Sequence, residues 1–342
     1  MTNKVYLRDC MEWMRELPDK YADFIHIDPP YFQIKGDFDF IMLFDEWKAL
    51  HEELAEITHR ILKDNGSLVL WGHAKKIAYQ QVIFDKYFNL LNAVVWKKKD
   101  SRTQKCNIDI QRSFIPVTER FLFYDKGEDK SGLTMIYSNP DLFKSIKDYM
   151  RGEKEKIKID YGFKAEKEFN NFINKITDTK SVVSRHYFAD SQYIFPTKEI
   201  YLKLQFIKKG KYFRREYEDL RREYEDLRRP FNLDKKIKYD VIEWEQESSI
   251  TGQYDHPTQK PPGLIKRIVQ TCCKPGSIVL EPFAGMAPAR YACADFGLHY
   301  EGTEIDPDYW QAQEDRYKMH IAQPEIFDQE EIQEAIFKQG EL

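Results

Sequence analysis

Apolar residues follow two alternating rhythms towards both ends of the chain. The run Asp23-Phe24-Ile25-His26-Ile27 is short and rich in strand formers. It stops at Asp28-Pro29-Pro30, where two prolines without an N–H cannot continue a ladder. Trp47, Leu50, Leu54, Ile57 and Ile61 then recur at helical spacing over residues 47–62, with Asn65-Gly66 as a stop and turn. Residues 67–71 read as a buried strand, 75–87 as a helix, and 89–96 and 120–124 as further strands. After a long polar stretch the rhythm resumes with strand 277–280, helix 286–296 closed by Gly297, strand 300–303 and helix 307–319. Strands alternating with helices predict an α/β fold with a parallel sheet, and the polar tail after Ala322 reads as a peripheral helix.

The stretch from about 127 to 250 has a different composition. Residues 141–240 carry 25 Lys and Arg against 18 Asp and Glu, a net of +7, while the rest of the chain carries 28 against 39, a net of −11. The formal charge of −4 over 342 residues, which alone argues against a nucleic-acid binder, therefore hides a basic middle. Within it the seven residues from Arg215 recur from Arg222, which sets Tyr217, Leu220, Tyr224 and Leu227 in one apolar stripe before Pro230 ends the pattern. Two heptads are too few for a coiled coil. The stripe reads as a surface helix packed by its Tyr and Leu side, with a helix near phosphate or a dimer contact as the alternative. Residues 166–176, 180–188 and 197–206 read as three short helices that would form a helix-turn-helix-like unit. Arg185, His186, Gln192 and Lys198 are its candidate base or phosphate contacts.

Composition excludes several classes. With 42% hydrophobic, 32% charged and 15% aromatic residues, 15 Gly and 15 Pro, the chain is not disordered, collagenous or low-complexity. Cys10, Cys106, Cys272, Cys273 and Cys293 form no C-x-x-C pair and no His/Cys cluster, so they read as free buried thiols in a reducing cytoplasm and no metal is expected. There is no run of about 18 apolar residues, so no membrane span is expected. No apolar stretch follows a basic start, so no signal peptide is expected.

The strongest chemical signal is Asp28-Pro29-Pro30-Tyr31, placed where open α/β sheets bind ligands, at the carboxyl end of a strand. Prolines leave carbonyl oxygens without local N–H competition, and Asp28 adds an acceptor. Acceptors beside an aromatic face suit the exocyclic amine of a flat heterocycle, which donates two hydrogen bonds while Tyr31 stacks on the ring. The segment resembles motif IV of the amino-methyltransferases, which move a methyl group from S-adenosylmethionine to an exocyclic nitrogen. A second constellation is Glu281-Pro282-Phe283-Ala284-Gly285 after a strand, with Glu304 ending the next strand 19 residues beyond Gly285. Glycine at such a turn permits close backbone approach, and an acidic residue about 20 positions on is placed for ribose hydroxyls. Residues 280–309 look like motifs I and II of the same enzymes, which usually read F-x-G-x-G-T. Met286-Ala287-Pro288 departs from that pattern. Pro288 suits a helix start, but Ala287 needs negative φ or strain, so the loop is expected to differ. Phe283 reads equally as a core residue.

The third piece, His256-Pro257-Thr258-Gln259-Lys260-Pro261, lies 21 residues ahead of Glu281, counted from Lys260, and is similar to motif X. The resemblance implies that Lys260 pairs with the methionine carboxylate of the cofactor and that Thr258 adds a polar contact. Residues 67–72, 92–97 and 112–119 look like motifs VI, VII and VIII. Asp9, in a segment resembling the one near the cofactor adenine, reads equally as a helix N-cap.

Target motif first, basic middle second and cofactor motifs last is the order of the permuted β group of DNA amino-methyltransferases, which this chain resembles over roughly residues 4–126 and 255–320. The resemblance implies a Rossmann-like methyltransferase sheet with helices on both faces, with a mainly helical target recognition domain inserted in it. The catalytic core would span 1–126 and 255–322, the recognition domain 127–254 and a tail 323–342. S-adenosyl-L-methionine would be held by Asp9, His256, Thr258, Lys260, Glu281, Phe283, Gly285 and Glu304. The catalytic residues would be Asp28, Pro29, Pro30 and Tyr31, with Phe32 closing the pocket. Double-stranded DNA would be met by Lys97, Lys98, Lys99, Arg102, Lys105 and Arg112, and in the middle segment by Arg185 and Lys198. A homodimer and a cognate restriction enzyme are further partners the resemblance raises. The leading Asp favours adenine N6 over cytosine N4. A cytosine enzyme, an RNA or protein amino-methyltransferase, a non-catalytic DNA-binding subunit with a decayed cofactor loop and a modification subunit of a larger complex are the rivals.

Overall fold

The computed structural model describes residues 2–31, 42–99, 112, 114, 116–126, 143–179, 182–189, 193–245 and 259–322. Phe32, Arg102, Lys105, Cys106, Gln192, His256, Thr258, the side chain of Lys99 and the tail from 323 lie outside these described residues.

In chain order the first elements are strand β1 (Asn3–Leu7), helix α1 (Cys10–Glu16), β2 (Ala22–Ile27), α2 (Phe44–Ile61), β3 (Leu62–Gly72), α3 (Ile77–Phe84), β4 (Asn89–Lys99) and β5 (Thr118–Asp125). Four helices follow, α4 (Lys144–Tyr161), α5 (Glu166–Thr177), α6 (Lys198–Gln205) and α7 (Tyr217–Leu227). The chain then returns through β6 (Val241–Glu245), α8 (Pro262–Cys272), β7 (Ile278–Glu281), α9 (Pro288–Phe296), β8 (His299–Glu304) and α10 (Pro307–Ala322). The eight strands form one sheet in the order β1-β8-β7-β2-β3-β5-β4-β6. Strands β1, β8, β7, β2 and β3 run parallel, whereas β5 is antiparallel to both β3 and β4.

Alternation along the strands divides the core in two. Phe24, Val69, Trp71, Phe121 and Phe123 pack on one face with the apolar sides of α8 and α9. Ile25, Leu68, Leu70, Leu122 and Tyr124 pack on the other with α1, α2 and α3. The strand period of two thus places helices on both faces, as expected.

Four expectations need correction. Asn65-Gly66 does not end a segment; residues 62–72 form one strand, and the β2/β3 register shifts between Ala22 and Phe24 to absorb the extra residues as a bulge. Residues 182–188 form a 3₁₀ turn rather than an α-helix. Residues 241–245, assigned to the recognition domain, belong to the catalytic sheet, because Val241–Glu245 pairs in parallel with β4 and buries Ile242. The preceding segment belongs there too, with Phe231 and Ile237 packed on the sheet core. Finally, the negative φ that was one option at Ala287 is not taken; the residue sits at φ +51° and ψ +56°, in the left-handed region, so the strained option holds. Its N–H donates to the Ala284 carbonyl at 2.6 Å. The helix start and that bond hold the turn, so the alanine carries strain of about 1–2 kcal/mol that glycine would avoid.

The helical insert of residues 143–227 has its own core. Leu220 is buried there, and Tyr217, Tyr224 and Leu227 pack beside it, so the repeated stripe serves packing. Because β5 runs antiparallel, the insert leaves the sheet at the amino ends of the parallel strands. It is tied there by Asn65 Nδ2 to the Asp226 carbonyl at 2.9 Å and Arg229 to Ser67 Oγ at 3.3 Å.

Two stability outcomes follow. Ala287→Gly should raise unfolding stability by about 1 kcal/mol in urea titration, since the left-handed strain disappears; an unchanged or lower midpoint contradicts the strain. Leu220→Ala should cost the insert about 3 kcal/mol. Hydrogen exchange should show loss of protection in residues 143–227 while β2, β3 and β7 keep theirs, and a uniform loss contradicts separate cores.

Candidate active site

The carboxyl ends of β2, β7, β8 and β1 converge on one cavity of about 610 Å³. Asp28, Pro29, Pro30 and Tyr31 line it from β2, Asp9 from the β1–α1 turn, Glu281, Phe283 and Gly285 from β7, Glu304 from β8, and Lys260 from the segment before α8. The structure thus brings together every described residue expected to act on the target base or the cofactor.

On the β2 side an ion chain dominates. Lys260 Nζ donates to Asp28 Oδ1 at 2.8 Å and Oδ2 at 2.7 Å, and lies 3.3 Å from Glu119 Oε2. Glu119 Oε1 in turn meets Lys98 Nζ at 2.5 Å. The Lys260 side chain is 1% exposed. An ammonium has three donors, and these contacts occupy all three. The Lys260 ammonium, expected at a cofactor carboxylate, is directed here to Asp28 and Glu119. Burial works against its charge, but Asp28, Tyr31 and Glu119 outweigh it and hold its pKa well above the ordinary lysine value. Burial likewise pushes the Glu119 carboxyl up, yet Lys260 and Lys98 prevail and hold it at about 2. The Tyr31 hydroxyl donates to Asp28 Oδ1 at 3.3 Å, also lies 3.5 Å from Glu119 Oε2, and is pushed well above the usual phenol range by burial and by Asp28. Lys260 Nζ stands 5.2 Å from the Tyr31 ring centroid and 5.1 Å from that of Trp71. Each carboxylate oxygen accepts two hydrogen bonds, so Asp28 Oδ1 is filled by Lys260 and Tyr31 while Oδ2 keeps one acceptor site open.

Beneath this chain lies a second network. The Trp71 indole can only donate, and it donates to His26 Nε2 at 2.8 Å, which places the His26 proton on Nδ1. That proton is donated to Glu281 Oε1 at 2.7 Å, and the Tyr300 hydroxyl donates to Glu281 Oε2 at 2.7 Å. Glu281 was expected at the cofactor; although it borders the cavity, both of its oxygens face other strands, and it braces β7 against β2 and β8.

The β7–β8 side of the cavity is built from backbone. Gly285 N–H donates to Glu304 Oε2 at 2.7 Å, and the N–H groups of Ile305 and Asp306 both donate to Oε1 at 2.9 Å. Oε1 is therefore full and Oε2 keeps one site facing the cavity. Burial raises the Glu304 pKa, with these backbone donors opposing it. Asp9 is the N-cap of α1, accepting from Glu12 N–H at 2.9 Å, and it also lines the cavity. The Gln259 side chain has a buried Nε2 without an acceptor on the cavity wall. Phe283 lines the cavity and also packs on the core. Cys10 lines the cavity as well, but burial and Asp9 push its thiol up to about 12, which makes it a poor nucleophile.

The positions expected at DNA are scattered. Lys98 turns inward to Glu119, Lys97 is exposed and pairs with Glu243 at 2.5 Å, and Arg112 is exposed in the β4–β5 connection. Arg185 is exposed, Lys198 pairs with Glu218 at 2.6 Å on the insert surface, and neither lines the cavity. Four residues of the site were not singled out from sequence: Glu119, His26, Trp71 and Gln259. The available signal for Glu119 was its place at the head of an apolar strand.

The N6/N4 methyltransferase family, described as DNA methylase, matches residues 22–315. The DNA adenine methyltransferase YhdJ of Escherichia coli is 24% identical over 308 residues, covering 88% of this chain and 78% of its own. Among solved structures, the PvuII DNA methyltransferase, cytosine-N4-specific, superposes with a TM-score of 0.52 at 10% identity over 98% of this chain and 91% of its own. The M1.HpyAVI–SAM complex gives 0.51 at 18% identity over 92% and 98%. These two likenesses show the fold. The family match runs from β2 through most of α10 and so takes in both the Asp28 and the Glu304 halves of the cavity; the chain belongs to the N6/N4 DNA methylase family.

Proposed function

We propose that this protein transfers a methyl group from S-adenosylmethionine to the exocyclic N6 of an adenine flipped out of duplex DNA. The observation that carries this reading is the open acceptor site on Asp28 Oδ2, in a cavity that Pro29 also lines and that is large enough for a ligand of this size.

The donor set fits the cofactor. The free site on Glu304 Oε2 suits a ribose hydroxyl, and the unpaired Gln259 amide N–H suits an acceptor such as a carboxylate. Gly285 lets the loop approach closely. When bound there, S-adenosylmethionine supplies an electrophilic methyl group. The chain's own part is positioning. The amine of adenine is a weak nucleophile because its lone pair is shared with the ring. Asp28 Oδ2 and the Pro29 carbonyl accept its two hydrogens, hold the nitrogen in line and favour the positive charge that grows on it. Tyr31, whose backbone carbonyl accepts from Lys76 Nζ at 3.1 Å, offers its ring for stacking. Extracting the base costs a few kcal/mol, which phosphate contacts would offset. Lys97 and Arg112 stand at the cavity end of the sheet for that purpose, whereas the inserted helices with Arg185 and Lys198 lie at the opposite end, so the recognition role expected of them is not carried into this reading.

Adenine is favoured by the leading Asp28 and by the name of the Escherichia coli relative; the PvuII likeness is the reason to test cytosine. Mass spectrometry of digested DNA from cells expressing the protein should show N6-methyladenine, and N4-methylcytosine in its place overturns the base assignment. Asp28→Ala should lose methyl transfer by about 1,000-fold or more while keeping cofactor and DNA affinity, as expected of an interaction made only in the transition state. Unchanged turnover contradicts the mechanism. Absence of S-adenosylmethionine binding by the wild-type chain in a labelled-cofactor titration favours a non-catalytic DNA-binding subunit.

A further inference from the structure

Glu119 has no part in the reading above, yet its surroundings are those of a working group. It heads β5, the antiparallel strand whose amino end alone reaches the cavity end of the sheet, pairing opposite Trp96. Its carboxylate takes the third donor of Lys260 through Oε2, holds Lys98 through Oε1 and lies 3.5 Å from the Tyr31 hydroxyl. An exposed carboxylate with two lysine neighbours is commonplace; one that shares a lysine that is 1% exposed with the reactive carboxylate is not.

We propose that Glu119 is a positioning residue for methyl transfer, acting through Lys260 on Asp28 and on Tyr31. The inference rests on the functional reading above. In the transfer, the amine nitrogen forms its new bond to carbon as the sulfonium S–C bond breaks, the nitrogen takes on the positive charge the sulfur loses, and one amine proton then leaves to solvent. That growing charge arises beside Asp28, and therefore close to the ammonium of Lys260 as well. Lys260 alone would oppose it. Glu119 offsets the ammonium, and by taking its third donor it fixes the orientation in which Asp28 Oδ2 keeps its open site. The same carboxylate also lies 3.5 Å from the hydroxyl of Tyr31, whose ring would stack on the flipped base. Lys98 completes the chain, so the four charges of Lys98, Glu119, Lys260 and Asp28 sum to zero.

The test uses the full-length chain on a duplex containing its methylation site. Glu119→Gln keeps the shape and removes the charge. It should lower single-turnover methyl transfer at saturation by about 10- to 100-fold, the effect typical of residues that orient a reactive group, while the KM for S-adenosylmethionine and the affinity for DNA stay within about threefold. Glu119→Asp should restore part of the rate. In a Lys260→Met background the same Glu119→Gln change should cost little, because the residue through which it acts is gone. With 2-aminopurine at the target position, Glu119→Gln should leave base extrusion intact but alter the quenching expected from stacking on Tyr31. A wild-type rate in Glu119→Gln, or an equal loss with and without Lys260, overturns the inference and leaves the functional reading standing. A wild-type chain that transfers no methyl group to DNA overturns both.

Discussion

An ammonium buried to 1% exposure demands compensation, and the way Lys260 finds it organises the cavity end of the sheet. Burying an unpaired charge costs several kcal/mol, so Lys260 must lie where carboxylates converge. Asp28 arrives at the end of β2 and Glu119 at the start of β5. Two strands of opposite direction are needed to bring a residue that follows one strand and a residue that begins another to the same end of the sheet. The antiparallel β5 in an otherwise mostly parallel sheet supplies that. The pair that looks like a local salt bridge is therefore a constraint on topology: reversing β5 would put Glu119 at the opposite end, beside the helical insert.

The β7–β8 half of the cavity is organised differently, by backbone rather than by charge. Glu304 accepts three backbone N–H groups, from Gly285, Ile305 and Asp306, and so fastens the turn after β7 to the end of β8. That fastening holds the loop in which Ala287 sits left-handed. The Trp71–His26–Glu281–Tyr300 network joins the halves across β3, β2, β7 and β8. Its indole also lies against Lys260, so both halves share one buried polar seam. Every member of that seam has a partner, which is what allows polar groups in a close-packed interior.

Much of this was legible in the chain. Asp28-Pro29-Pro30-Tyr31 announces itself because two prolines must end a strand, and Gly285 with Glu304 is set by the spacing of one strand–helix–strand unit. What escaped depends on contacts between remote positions. Lys260 and Asp28 are 232 residues apart, and His26 and Glu281 255 apart, separations at which no local pattern names the partner. Nor does any local pattern place Asp28 and Glu119 around the Lys260 ammonium. Val241–Glu245 falls within the compositional span of about 127 to 250, and only pairing with β4 places it in the sheet. The stripe of Tyr217, Leu220, Tyr224 and Leu227 was readable because helical packing is local.

The division of labour at Lys260 is the most exposed point. If its ammonium serves Asp28, then single-turnover methyl transfer by Lys260→Met, followed as S-adenosylmethionine is raised to saturation, should plateau about 100-fold below the wild type with its half-saturation point little moved. A plateau that returns to the wild-type rate once the cofactor is abundant would place the ammonium on the cofactor and contradict the ion chain as the organiser of the site.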